Sequence, residues 1–304
     1  MKIARPTYLS PDWHTQRKRD KTGKVRFGAS DAPVLMNLSK YRNIVDLFIS
    51  RQSDELPEPP NEVQMRGHRL EPALLAYASD LLEEQIETPD PWFTAGRFVA
   101  TLDGLTKDEL VIVEAKSTMQ YSSDDAIPES FYWQVQAQLA CVPTATYAMV
   151  VVLDKRMRFG YWQVFRNEAD IARLLDWAEI VGTYFDNNEL PPDVLMTEHQ
   201  VKTMFPDPVG ELEIGERGFE LVQQYKHIKS IREDMDKQEQ DLRNEIVNLL
   251  GNKEIGTVNG EKVISYKSRK GSLRLDAKLL EAENPELVAN YRRIGATTRI
   301  LRTH

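Results

Sequence analysis

The chain has 304 residues, of which 41% are hydrophobic and 28% charged. That balance supports one large domain, or a core domain with a smaller one, and argues against wholesale disorder. A single cysteine, Cys141, excludes an intramolecular disulfide and a cysteine-built zinc cluster; the five histidines show neither HxH nor HExxH spacing.

The longest apolar stretch, residues 145–153, is nine residues long, against roughly 20 needed to cross a bilayer. The opening MKIARPTYLSPDW has no continuous apolar run, so no signal peptide and no membrane partner are expected. A soluble cytoplasmic protein is the plain expectation. The net charge of −8 speaks against a nucleic-acid partner, but its distribution does not. Residues 253–304 carry +5 and the first 252 carry −13, while residues 17–26 hold six basic side chains and one acid. Two basic segments on an acidic body have the means to track phosphates, although solvated surface is the simpler reading.

In chain order, FGASDAPVLMN (27–37) predicts a short helix entered through Ser30 or Asp31. A helix over about 43–51 ends before the proline-rich loop LPEPPNE, and a longer one runs over about 62–87 with a kink or new first turn at Glu71-Pro72. The period then changes: residues 92–102 and 109–116 read as strands, the second being the β-branched run VIVEAK. A helix over 128–141, a strand over 144–153 buried on both faces, an antiparallel partner over 158–165 and a helix over about 167–187 complete an α/β core with a mixed sheet. After a Pro/Gly-rich loop, residues 213–250 predict a long amphipathic helix; Asn259-Gly260 marks a hairpin, and two short helices follow. The expected domains are therefore 1–205 and a C-terminal extension over 211–304.

The chemistry concentrates between Thr101 and Lys116. Side chains alternate along a strand, so Glu114 and Lys116 share one face while Ala115 takes the other. A turn brings Asp103 back beside them. Two carboxylates and a backbone carbonyl make a hard oxygen site suited to Mg²⁺ or Mn²⁺, and a neighbouring lysine can orient water and offset charge on phosphorus. This is what a phosphodiester hydrolase needs. Asp-x10-Glu-x-Lys alone is a weak pattern in so charged a chain, and a solvated hairpin edge also fits it. The apolar VIV run favours a ligand, because unpaired charge beside it is costly.

Further motifs occur in order: Trp13-His14-x-x-Arg17, Gly28-Ala29-Ser30-Asp31, Arg66-Gly67-x-x-x-Glu71, Leu102-Asp103-Gly104, Glu114-Ala115-Lys116, Gln134-Val135-Gln136 and Asp154-x-Arg156-Met157. With these, roughly residues 8–190 resemble the lambda-type exonucleases, or YqaJ-like viral recombinases, of the PD-(D/E)xK nuclease superfamily. The resemblance implies a restriction-endonuclease-like core and a metal-dependent 5′→3′ exonuclease on linear double-stranded DNA. It would leave 3′ single strands for a single-strand annealing protein. A homotrimeric ring and two divalent ions per site are implied likewise. Asp103, Glu114, Ala115 and Glu71 would hold metal, and Lys116 would position water. Arg17, Ser30, Thr101 and Gln136 would grip the 5′-phosphate.

A basic insert before Gly28 leaves Arg26 as an alternative to Arg17. Gln134 competes with Gln136, because the two diverge by about 200° on a helix and only one should reach the pocket. Lys267, Arg269 and Lys270 in the tail, with Arg26, are candidate contacts to DNA backbone; subunit packing or a structural cap are the other readings of that tail. A structure-selective endonuclease with the same metal site, or a catalytically idle recombination scaffold, are the competing functions. Phe131-Tyr132-Trp133 and Cys141 read as core packing.

Overall fold

The computed structural model describes residues 1–7, 10–53, 59–293 and 301–303. Part of the proline-rich loop, residues 54–58, thus lies outside the described residues. The chain divides into two compact units, Met1–Pro206 and Asp207–His304.

In the first unit, β1 (Lys2–Ile3), α1 (Pro11–Lys18), β2 (Phe27–Gly28), a 3-10 turn (Ala29–Asp31), α2 (Ala32–Leu35), α3 (Ile44–Gln52) and α4 (Glu62–Leu82) precede the strands β3 (Trp92–Ala95), β4 (Phe98–Ala100), β5 (Gly104–Leu105) and β6 (Val111–Ser117). Then come α5 (Glu129–Cys141), β7 (Tyr147–Leu153), β8 (Phe159–Phe165), α6 (Glu168–Asp186) and α7 (Glu198–Met204). Two mixed four-stranded sheets result, ordered β1-β3-β4-β2 and β5-β6-β7-β8. β6 and β7 run parallel, joined through α5, while β5 and β8 flank them antiparallel. A parallel pair requires such a crossover.

The alternation along β6 explains where the core lies. Val111 and Val113 pack with Leu74 and Ala78 of α4, whereas Ile112 belongs to the larger core with Val135 and Leu139 of α5. β6 and β7 are thus covered on both faces, as their unbroken apolar runs require.

Three expectations are corrected. Residues 92–102 form a hairpin rather than one strand. Gly96, at φ +50°, makes the turn between β3 and β4, and Arg97 beyond it is buried on Glu179 (2.8 Å) and Asp186 (2.6 Å). The segment 27–37 opens as a strand, because Phe27 and Gly28 pair in parallel with Phe98 and Val99 before any helix begins. α4 starts with a reciprocal cap between Asn61 and Gln64 and runs through Pro72, but it stops at left-handed Glu83. Residues 84–87 leave the helix so that Glu87 can bridge Leu105. α1 and α7, by contrast, carry no expectation from the sequence. Asp154, in the Asp-x-Arg-Met motif, is a buried turn anchor accepting the N–H groups of Arg156 (2.8 Å) and Arg158 (3.0 Å).

The second unit consists of α8 (Gly215–Leu250), β9 (Ile255–Val258), β10 (Glu261–Ser265), α9 (Ala277–Glu283) and α10 (Pro285–Tyr291). β9 and β10 form the hairpin, with Asn259 and Gly260 both at positive φ, as a type I′ turn demands. Among the described residues no helix is long and apolar enough to cross a membrane.

Gly104 lies under tight cover: a Cβ there would meet Ile86, with Leu75 at 3.0 Å and Val113 at 3.2 Å. Gly104→Ala should therefore cost about 1–3 kcal/mol by overpacking. Urea unfolding measures this, and an unchanged midpoint would contradict the packing described.

Candidate active site

Asp103 stands between buried Leu102 and Gly104, the latter paired with Val113 of β6. β5 is only two residues long, so the edge of β6 beyond Val113 is free of a partner strand on that side. The Ala115 N–H points there and donates to Asp103 Oδ2 at 2.9 Å. A residue in a strand directs its N–H and C=O toward the same edge, so the Ala115 carbonyl lies on the Asp103 side as well.

Glu114, one residue earlier and on the α5 face, is buried. Its Oε1 accepts from Lys116 Nζ (2.6 Å) and Gln134 Nε2 (2.5 Å), and its Oε2 from Gln138 Nε2 (2.5 Å). Lys116 also donates to Gln134 Oε1 at 2.9 Å, and its ammonium lies 5.5 Å from the Phe131 ring centre. The structure therefore brings Asp103, Glu114, Ala115, Lys116 and Gln134 together. It adds Gln138, a residue absent from the expected set, whose Oε1 is buried without a hydrogen-bond partner. Gln134 and Gln138 are four residues apart and share one helix face, which is the signal that could have revealed it.

Gln136 is corrected. It lies on the opposite face of α5, fully buried, donating to the Phe165 carbonyl (2.8 Å) and accepting from the Asn167 N–H (3.1 Å). Both ends of its amide are spent on backbone, so it ties α5 to the end of β8 and is not placed to bind phosphate.

Burial raises the Asp103 carboxyl well above the ordinary carboxylate range, and the charge of Glu114 adds to the rise. The Ala115 N–H and Lys116 oppose it, while Glu71 pushes it further up. Glu71, half-buried on α4 with His68 Nδ1 at 3.7 Å, is thus close enough to be felt at the site. Three carboxylates facing too little positive charge, all hard oxygens, fit a divalent cation of the Mg²⁺ type. Among the described residues no three His, Cys, Asp or Glu side chains already stand in ligating array. Glu114 is turned to its amides and Lys116, so a cation must compete with them for its oxygens.

A separate cleft of about 680 Å³ is lined by Arg17, Lys18, Ser30, Arg42 and Arg51, among others. Arg17 Nη2 donates to Ser30 Oγ at 3.4 Å, and its guanidinium lies 4.8 Å from the Trp13 ring centre. A Cβ on Gly28 would sit 3.0 Å from Arg17 Nη2, so glycine leaves that guanidinium its room. Asp31 underlies the group. Burial disfavours its charge, yet Arg51, Arg42 and Arg17, with the Gly28 N–H, hold it below the usual carboxylate range. Its carboxylate pairs with Arg51 and, at 2.7 Å, with Arg42, and it accepts the Gly28 N–H at 2.8 Å.

Of the expected phosphate-binding set, Arg17 and Ser30 line this cleft, whereas Thr101, half-buried after β4, does not. Arg26 does not line the cleft: its Nη1 donates to the Gln16 carbonyl at 3.2 Å, joining α1 to β2. Lys267, Arg269 and Lys270 are exposed in the second unit.

Because folding raises the Asp103 pKa, the folded state binds that proton more tightly than the unfolded chain. Stability is then lost as pH rises from the ordinary carboxylate range through the raised value. In EDTA, Asp103→Asn should melt above the parent at pH 8, the gap closing toward about pH 4. Mg²⁺ at 100 times its Kd should add about 2.7 kcal/mol to the parent and little to the variant. Superimposable melting curves would contradict the charge balance described.

The profile of the YqaJ-like viral recombinase domain matches residues 12–148. No curated protein matches the chain. Among solved structures, the alkaline exonuclease LHK-Exo from Laribacter hongkongensis is 20% identical, covering 59% of this chain and 97% of its own, with a TM-score of 0.44. Its complex with dAMP is 21% identical, covering 59% and 95%, with a TM-score of 0.46. A phage-related exonuclease from Haemophilus somnus 129PT is 9% identical, covering 54% and 95%, with a TM-score of 0.45. The match to the YqaJ-like viral recombinase domain thus spans the ordered motifs from Trp13 to Gln136, on a mixed α/β core.

Proposed function

We propose that the protein is a metal-dependent 5′→3′ exonuclease acting on the ends of linear double-stranded DNA. The observation that carries this reading is the convergence of Asp103, Glu114 and Lys116 at the open edge of β6. A divalent cation bound by Asp103, Glu114 and the Ala115 carbonyl, with Glu71 beside them or at a second ion, would supply Lewis-acid charge to the scissile phosphate and to a water.

The chain's own groups do the rest. Lys116, anchored by Glu114 and Gln134, keeps an ammonium beside the phosphate, where it orients the attacking water and offsets charge building on phosphorus. The water oxygen bonds to phosphorus and the P–O3′ bond breaks, its electron pair and a proton going to the 3′-oxygen of the released nucleotide. The shortened strand then begins with a new 5′-phosphate. Arg17 and Ser30 line a cleft able to receive it, since a guanidinium fork and a hydroxyl suit a terminal phosphate. The 3′ strand left behind is a substrate for an annealing protein. A ring-shaped homotrimer would supply processivity without a nucleotide-driven motor, as no GxxxxGK[ST] loop occurs in the sequence.

Digestion of 5′-labelled and 3′-labelled linear duplex with Mg²⁺, beside a closed circle, tests the polarity. Early release of the 5′ label with the circle intact is expected; cutting of the circle would point to an endonuclease instead. Lys116→Ala should slow digestion about 10²- to 10⁴-fold, and Glu114→Ala should abolish it. Undiminished digestion by either would remove the mechanism. Arg17→Ala should weaken the preference for 5′-phosphorylated over 5′-hydroxyl ends by about 10- to 100-fold, the worth of one charged hydrogen bond. Equal rates on both ends in the parent would count against the cleft.

A further inference from the structure

The two basic segments of the chain have different fates in the fold. In the first, residues 17–26, four of the six cations are held against the protein, while Lys21 and Lys24 are exposed. Lys18 donates to the Ser53 carbonyl (2.7 Å), Arg19 to the Gly23 carbonyl (3.0 Å) and Gln52 (2.8 Å), and Arg26 to Gln16, while Arg17 is held against Trp13 and Ser30. Their charge is committed to packing α1 on β2 and α3, or to the cleft.

The second segment runs from Lys262, on β10, to Arg274. It carries Lys262, Lys267, Arg269, Lys270 and Arg274 and no acid, where the overall composition would put about two of each sign in thirteen residues. All five side chains are exposed, and none makes a hydrogen bond or ion pair among the described residues. Tyr266, half exposed at the end of β10, adds a ring, and Ser268, Gly271 and Ser272 keep the backbone between the cations uncrowded. An acidic chain that leaves five cations unpaired in one stretch has kept them from its many carboxylates.

We propose that this ribbon of the second unit is a sequence-independent surface for the nucleic-acid sugar–phosphate backbone. The spacing suits a polyanion rather than one phosphate. From Lys267 to Arg274 an extended chain spans at most about 25 Å, enough to follow several successive phosphates. Neither Asn nor Gln occurs between Lys267 and Arg274, and the cations are interspersed with Ser268, Gly271 and Ser272, so the contact would be electrostatic and salt-sensitive. The proposal deepens the exonuclease reading, since it assigns a hold on the substrate that lies outside the cleft and the carboxylate site.

The test is equilibrium binding of the full-length Glu114→Ala protein, in EDTA, to a labelled duplex across a KCl series. It is repeated with Lys267→Gln, Arg269→Gln and Lys270→Gln added together, a change at exposed coil positions checked for folding by circular dichroism. Each phosphate that is no longer neutralised lowers the slope of log K against log salt by about 0.9 on duplex, so a fall of about 2 to 3 is expected. Coincident slopes and affinities would overturn the proposal. So would loss of binding to polyglutamate with DNA binding intact, which would make the partner an acidic protein. A reduced slope in a protein whose parent never digests DNA would leave this surface standing and remove the nuclease reading alone.

Discussion

Everything at the centre of this molecule follows from placing two carboxylates where water is scarce. The Asp103 carboxyl resists ionisation by burial, and the charge of neighbouring Glu114 makes its own charge harder to keep. A fold tolerates such a pair only with compensation. Here Lys116 and the amides of Gln134 and Gln138 gather on Glu114, whereas Asp103 has one backbone N–H and remains short of positive charge. That asymmetry leaves a defined deficit for a cation to fill. It also explains why α5 presents a glutamine face: amides satisfy a carboxylate without adding charge and can be exchanged for another ligand. Gln138 Oε1, buried without a hydrogen-bond partner among the described residues, leaves the polar network around Glu114 incomplete.

The cationic cleft solves the opposite problem. Arg17, Arg42 and Arg51 would repel one another, and a fully buried Asp31 holds them together while fixing the Gly28 turn that precedes Ser30. One acid thereby orders both the guanidinium groups and the loop beside them. A single buried charge with three well-placed partners is stable where an isolated one is not.

Much of this was legible where local chemistry and tertiary context agree. VIVEAK reads as a strand because its β-branched residues and its two-residue alternation coincide, and that alternation puts Glu114 and Lys116 on one face. The Asn259-Gly260 hairpin needed only its turn residues. What escaped was set by distant partners. Nothing local distinguishes Gln136 from Gln134; only the roughly 200° between them on a helix, and the backbone groups awaiting Gln136 at Phe165 and Asn167, decide the outcome. α4 stops short because Glu87 is drawn into a bridge with Leu105, eighteen residues on in sequence. Gly96 carried a signal, since a glycine inside a strand pattern marks a bend, and the buried Arg97 beside it depended on acids of α6.

The most direct test of the central claim is diffraction from crystals grown with Mn²⁺, recorded for anomalous scattering. A manganese peak bound between the carboxylates of Asp103 and Glu114, and absent from an Asp103→Asn crystal, is the predicted result. A molecule with its DNA-digesting activity intact but with manganese held elsewhere, those two carboxylates untouched, would contradict it.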